Sequence, residues 1–185
     1  MIEVIDNFLS KEDFVRLQRM FVDVQFPWYY NKSVVYGSEW EFYNDGYNDG
    51  IDIRPEEKYN YQFVHTFYSD KEHLPYKGKE IKSSFLSEMD VITKKLNAKK
   101  IFKLKANMNP NTDKNFRYNL HIDTSNVCNT SIFYINSNDG WTEFENGDKV
   151  ESVENRIVIF DSQTKHTGTT CTNAKVRVLI NLNYE

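Results

Sequence analysis

The chain has 185 residues, 39% hydrophobic and 15% aromatic, which is enough to close one core and too short for a multidomain machine. Its 23 Lys and Arg against 27 Asp and Glu leave a net charge of −4, so no basic stripe is available for phosphates and nucleic acid is not expected as a partner. No apolar run approaches the roughly 18 residues a membrane helix needs, and the start MIEVIDNFLSKED carries no apolar signal region, so a cytoplasmic location off the membrane is expected.

In chain order, Ser10 followed by Glu12 and Asp13 is an N-cap with acids in the first turn, and Phe14, Leu17, Met20 and Phe21 recur at helical spacing. Residues 26–49 are rich in Tyr, Trp, Asn and Gly, which predicts short strands and a long loop. The aromatic run YNYQFVHTFY at 59–68 reads as a strand, and residues 77–98 place Ile81, Phe85, Met89, Ile92 and Leu96 on one face of a second helix. Strand-forming runs then follow at 100–108, 129–136, 142–145, 156–161, 167–171 and 175–184, and the Asn-rich stretch 107–119 reads as a loop. The fold expected is α+β, mainly β, with a sandwich or jelly-roll half behind N-terminal helices. The division is a single domain over 1–185, with helical and aromatic support at 1–99 and a β core at 100–185.

The chemistry concentrates in that β core. In an extended strand His121 and Asp123 project from the same face and can meet one ion. His166 follows the strand IVIFD and the polar turn SQTK, where a jelly roll returns it across the barrel. Two imidazoles and one carboxylate are the ligand set of the facial triad of non-haem Fe(II) oxygenases, which leaves coordination positions open for substrate and dioxygen. In the alternating strand KVRVLINLNY, Lys175, Arg177, Leu179, Asn181 and Asn183 share one face, and a hairpin over 167–184 would bring Arg177 back toward the metal. A cation inside a small barrel needs an anion, and the far carboxylate of a dicarboxylate cosubstrate supplies one.

The pieces HID at 121–123, TSIFYIN at 130–136, DGWTEF at 139–144, NRIVIFDS at 155–162, HTG at 166–168 and RVLINLNY at 177–184 stand in one order. Together they resemble the double-stranded β-helix core of the Fe(II)/2-oxoglutarate-dependent dioxygenases, in the prolyl-hydroxylase-like branch of phage and marine bacterial type. The resemblance implies that His121, Asp123 and His166 bind Fe(II) and form the catalytic centre, and that Arg177 binds the distal carboxylate of 2-oxoglutarate. It implies that the Tyr134 hydroxyl assists that carboxylate, although an inward core tyrosine reads equally well. Dioxygen would be the third reactant, succinate and CO2 would be released, and the substrate would be a prolyl-like peptide residue or a small molecule. Trp141 departs from the family's second glycine, and its ring is expected to narrow or line the entrance.

Other residues bear on the same site. Tyr118 and Arg117 precede the H-x-D pair closely enough to touch substrate or cosubstrate, and Tyr118 is counted with the cofactor-binding residues; Asn107 and Asn181 could bond inside the barrel. His65 and Gln62 read as packed core and His73, within DKEH, as solvated. The aromatic set Trp28, Tyr29, Tyr30, Tyr36, Trp40, Phe42 and Tyr43 is either a platform for substrate or closure of the core, and the loop 32–56 has the length and polarity of a lid. Cys128 and Cys171 are expected as reduced thiols with no part in the site. The rival readings are a cupin-like metal jelly roll without 2-oxoglutarate chemistry, which leaves Arg177 unexplained, and a binding module without catalysis.

Overall fold

The computed structural model describes residues 1–34, 58–73 and 78–185. The expected loop at 32–56, beyond residue 34, and Tyr36, Trp40, Phe42 and Tyr43 fall outside them. The described elements are β1 (Glu3–Ile5), α1 (Lys11–Val22), β2 (Tyr29–Asn31), β3 (Gln62–Ser69), β4 (Ile81–Lys82), α2 (Asp90–Lys95), β5 (Ile101–Pro110) and β6 (Asn129–Tyr134). They continue with β7 (Trp141–Phe144), β8 (Lys149–Glu151), β9 (Ile157–Asp161), β10 (His166–Gly168) and β11 (Val176–Tyr184).

The strands form two antiparallel sheets. The larger runs β1-β9-β6-β11-β5-β3-β2, with β4 beside β3, and the smaller runs β10-β7-β8. Single bridges Arg117↔Thr169 and His121↔His166 lay the segment before Asp123 along the free side of β10. The period-two alternation of β11 separates two environments. Val178, Ile180 and Leu182 join the apolar cluster on the outer face of the large sheet, under Phe14, Leu17 and Phe21 of α1. Leu179 faces inward with Ile132, Tyr134, Phe144, Val150, Val158 and Phe160, which fill the space between the sheets. Helix α1 begins where its N-cap requires: the Ser10 hydroxyl accepts from the Asp13 amide at 3.1 Å.

Four expectations are corrected. The helix expected over 77–98 shrinks to α2 and a preceding 3-10 turn at Leu86–Met89, because Ile81 and Lys82 pair with β3 and Ser83 turns the chain, its hydroxyl accepting from the Phe85 amide. Residue 77 lies outside the described set. Of the loop expected at 107–119, residues 107–110 belong to β5, since Asn107 and Asn109 point into a polar interior while Ala106 packs in the outer core. The H-x-D pair is not in a regular strand: His121 holds a single bridge and Asp123 lies in a bend. Residues 167–184 are not a hairpin, because β10 belongs to the small sheet and β11 to the large one. Strands β1 and β8, three residues each, were not expected.

Candidate metal centre

The antiparallel bridge between His121 and His166 sets their rings side by side, with centroids 4.9 Å apart. One ligand atom from each of His121, Asp123 and His166 lies within 4.8 Å of the others, a grouping that could hold one metal ion. His121 Nε2 is 3.8 Å from Asp123 Oδ1 and His166 Nε2 is 3.4 Å from Asp123 Oδ2. Each imidazole turns Nδ1 to a backbone carbonyl, that of Asn119 for His121 and that of Thr164 for His166, both at 3.1 Å. An Nδ1–H donated to a carbonyl fixes the tautomer that leaves the Nε2 lone pair facing Asp123, which is how ligating histidines are oriented. Asn181 Nδ2 donates to Asp123 Oδ2 at 2.7 Å and fixes the carboxylate from β11.

Charge follows this geometry. Burial alone would raise the Asp123 carboxyl, but the hydrogen bond and field of His166, with His121 and Lys103, hold it well below the ordinary carboxylate range. Burial lowers His121, whereas for His166 the Asp123 contact outweighs burial and raises it. A donor set of two imidazoles and one ionised carboxylate fits a divalent transition metal, whose binding takes the imidazoles in their neutral form.

Arg177 projects into the barrel from β11 and is 1% exposed. Among the described residues its hydrogen bonds go only to hydroxyls: Nε donates to Ser152 Oγ at 2.7 Å and Nη2 to Thr142 Oγ1 at 3.4 Å. It stands over the Tyr134 ring, 5.6 Å from the centroid. Tyr134 donates its hydroxyl proton to the same Thr142 oxygen at 2.8 Å. Tyr118 accepts from Asn109 Nδ2 at 3.2 Å, and burial pushes its phenol upward against the opposing field of Arg177. Asn109 is the register partner of Arg177. Two glycines make room for the arginine: a Cβ at Gly140 would stand 2.7 Å from Arg177 Cδ, and one at Gly168 would stand 3.2 Å from Nη1.

The other expectations divide. His65 is core: it packs on Phe26, Phe67 and Phe85, with Nδ1 on the Pro27 carbonyl at 2.9 Å and Nε2 on Ser83 Oγ at 2.7 Å. Gln62 and Asn107 are buried, while Arg117 is half-exposed and paired with Glu143 at 3.1 Å. Trp28 packs with Phe21 and Phe26, whereas Tyr29 and Tyr30 are exposed. Two expectations are overturned. His73 is 3% exposed rather than solvated, and among the described residues its Nδ1 has no partner. Trp141 does not line the barrel: Thr142 and Phe144 occupy the inward positions of β7, and the Trp141 ring lies outward beside Lys149 and Glu143. A cleft of about 900 Å3 lined by Trp141, Lys149, Glu151 and Arg156 lies on that outer side, away from the triad.

Lys103 and Lys105 are interior residues that the sequence reading passed over. The signal was present: in IFKLKANMN, Lys103, Lys105, Asn107 and Asn109 alternate with Phe102, Leu104, Ala106 and Met108.

No protein-family model matches the chain, and no curated protein matches it. Solved structures do. One is a viral collagen prolyl hydroxylase from Paramecium bursaria chlorella virus 1 in a 2OG complex, at TM-score 0.57 and 13% identity, covering 98% of this chain and 94% of that one. A prolyl hydroxylase from Trichoplax adhaerens, complexed with a peptide of the hypoxia inducible factor oxygen degradation domain, gives 0.55 and 14% over 99% and 82%. A 2OG-Fe(II) oxygenase family oxidoreductase from Burkholderia pseudomallei gives 0.60 and 8% over 100% and 84%. The chain therefore has the mainly β jelly-roll fold of these prolyl hydroxylases and 2OG-Fe(II) oxygenases, and its His-Asp-His group stands between the two sheets of that fold.

Proposed function

We propose that the protein is an Fe(II)- and 2-oxoglutarate-dependent dioxygenase that hydroxylates a C–H bond of a prolyl-like peptide residue or a small molecule. The balance is substrate R–H, dioxygen and 2-oxoglutarate giving R–OH, succinate and CO2. The observation that carries the reading is Arg177: a guanidinium buried between the sheets with only hydroxyl partners among the described residues, in the same barrel as a two-histidine, one-carboxylate group. A buried cation without a carboxylate is costly and calls for an anionic ligand. The cupin-like alternative gives that cation no purpose.

His121, Asp123 and His166 would hold Fe(II), which supplies dioxygen activation coupled to oxidative decarboxylation of the oxo-acid. The chain's own part is positioning. The Asn119 and Thr164 carbonyls fix the imidazole tautomers, and Asn181 fixes the carboxylate. Arg177 anchors the distal carboxylate of 2-oxoglutarate, held in place by Ser152 and Thr142, while Tyr118 and Tyr134 offer hydroxyls beside it. The apolar residues between the sheets, Phe144 and Phe160 among them, keep water from the reacting centre. A peptide substrate draws support from the peptide-bound neighbour.

The test is turnover without added substrate, since oxygenases of this kind convert 2-oxoglutarate slowly when uncoupled. Aerobic incubation with Fe(II) and 2-oxoglutarate should yield succinate, at least tenfold less of it in His166→Ala and in Arg177→Ala. Succinate formation that is absent in the wild type, or equal in all three, contradicts the proposal.

A further inference from the structure

The inward face of β5 carries two lysines that the reaction as described does not use. In the register of β11 on β5, Arg177 stands opposite Asn109, Leu179 opposite Asn107, Asn181 opposite Lys105 and Asn183 opposite Lys103. Four residues of strand separate Arg177 from Asn181, roughly 13 Å at 3.3 Å per residue. Asn181 holds Asp123, so the triad sits at the level of Lys105, displaced along the barrel from the arginine. Lys103 stands one inward position further, on the side of the triad away from Arg177.

Neither lysine has an ion pair or a side-chain hydrogen bond among the described residues, although Lys103 is 7% exposed. Burial, with the repulsion of Lys105, brings Lys103 down to about 7, and the field of Asp123 favours either ammonium. Loaded with a divalent ion and the 2-oxoglutarate dianion, the site cancels those charges against each other, and Asp123 cancels Arg177. The two buried lysine amines remain without a counter-charge, and an anion beside them would favour their protonated forms. Independent of the charges, three buried polar atoms lack partners among the described residues: Nδ1 of His73, Oδ1 of Asn183, whose residue stands opposite Lys103, and Oδ1 of Asn107, one inward position from Lys105 toward Arg177. His73 is within the electrostatic reach of Lys103, Lys105 and Asp123. Buried polar atoms without partners beside buried amines are groups that a polar, anionic ligand would satisfy.

We propose that the barrel beyond the triad, built from Lys103, Lys105 and His73, seats an anionic group of the substrate, a carboxylate or a phosphate, close to the carbon that is hydroxylated. The inference rests on the dioxygenase reading, for which it names the substrate class: an acidic small molecule, or a peptide residue with an acidic group beside it.

The test uses the full chain without metal, labelled with 13C at lysine Cε and titrated with acetate and, separately, with inorganic phosphate. Lys103→Met and Lys105→Met assign the two signals. Both signals should shift saturably with at least one anion; each single lysine variant should weaken that binding at least tenfold, and Arg177→Met should change it less than twofold. Tighter binding of acetate marks a carboxylate substrate, and tighter binding of phosphate a phosphorylated one. Signals that fail to saturate with either anion, or saturation that survives both lysine variants, overturn the proposal. A second arm measures 2-oxoglutarate binding to Fe(II)-loaded chain by the visible charge-transfer band. The lysine variants should keep the band within twofold of wild-type affinity; its loss would assign the lysines to the cosubstrate and overturn the proposal. A band missing from the wild type would instead sink the dioxygenase reading, an outcome distinct from unchanged lysine signals.

Discussion

At the scale of single residues, Arg177 shows how a charge is kept where it is costly. Its side chain threads between Gly140 and Gly168, and a methyl group at Gly140 would meet Arg177 Cδ at 2.7 Å and the Thr170 carbonyl oxygen at 2.9 Å. The backbone contact cannot give as a flexible side chain can, so Gly140→Ala should cost about 1–3 kcal/mol in denaturant unfolding, the usual size of an overpacking penalty. It should also weaken 2-oxoglutarate binding, while Gly147→Ala, at an open turn, should leave that binding unchanged. Equal affinities in the Gly140 variant and the wild type would show that the arginine is not held this way. Both glycines stood in the sequence pieces DG and HTG, but only the fold shows that their missing side chains make room for one guanidinium.

At the scale of elements, the N-terminal segment, paired through β1 with β9, is fixed further by the Asn155 side chain. Asn155, at φ 58°, accepts from the Leu9 amide at 2.8 Å and donates to the Leu9 carbonyl at 3.0 Å, while its own carbonyl accepts from Phe8. Asn155→Ala removes both buried side-chain bonds and puts a Cβ-branched-free but non-Asn residue in the left-handed region, so a loss of about 2–4 kcal/mol is expected in equilibrium unfolding. Leu17→Ala, at a fully buried position under the large sheet, should cost a similar 2–5 kcal/mol without altering metal binding. Helix α1 and most strands were legible because cap and periodicity agreed with packing. The helix over 77–98 was misread because Ile81, Phe85 and Met89 fall at helical spacing by coincidence, while Ile81 is taken up by pairing with Ser69. Asn109, past the expected strand run at 100–108, reads as loop because asparagine breaks strands, yet a polar barrel interior places it with Asn107 in β5. The spacing of His121 and Asp123 pointed to a group that could hold a metal; the crossing from β10 to β11, which carries the chain from the small sheet to the large one, left no local signature.

At the scale of the whole molecule, the polar barrel ties stability to pH. His73, expected at the surface, is buried, and burial with the field of Lys103 lowers it to about 4 from the ordinary 6.5, with Asp70 and Asp123 acting the other way and Lys105 adding to the fall. Between those values the unfolded chain binds a proton that the folded chain refuses. Its contribution to stability is therefore complete above about 6.5, declines as the pH falls through the window and levels off below about 4. Thermal melting of the metal-free chain from pH 7 to pH 4 should show a steeper decline for the wild type than for His73→Gln; parallel curves would mean that the imidazole is not held neutral.

In the proposed enzyme one barrel holds both a metal at His121, Asp123 and His166 and an oxo-acid anchored by Arg177. An anaerobic titration of the metal-free protein with Fe(II) and then 2-oxoglutarate tests it most directly, because the visible iron-to-oxo-acid charge-transfer band needs both ligands at once and no knowledge of the substrate. The band should appear in the wild type, vanish in His166→Ala and require at least tenfold more 2-oxoglutarate in Arg177→Ala. Iron binding without the band, or a band indifferent to Arg177, would contradict that arrangement.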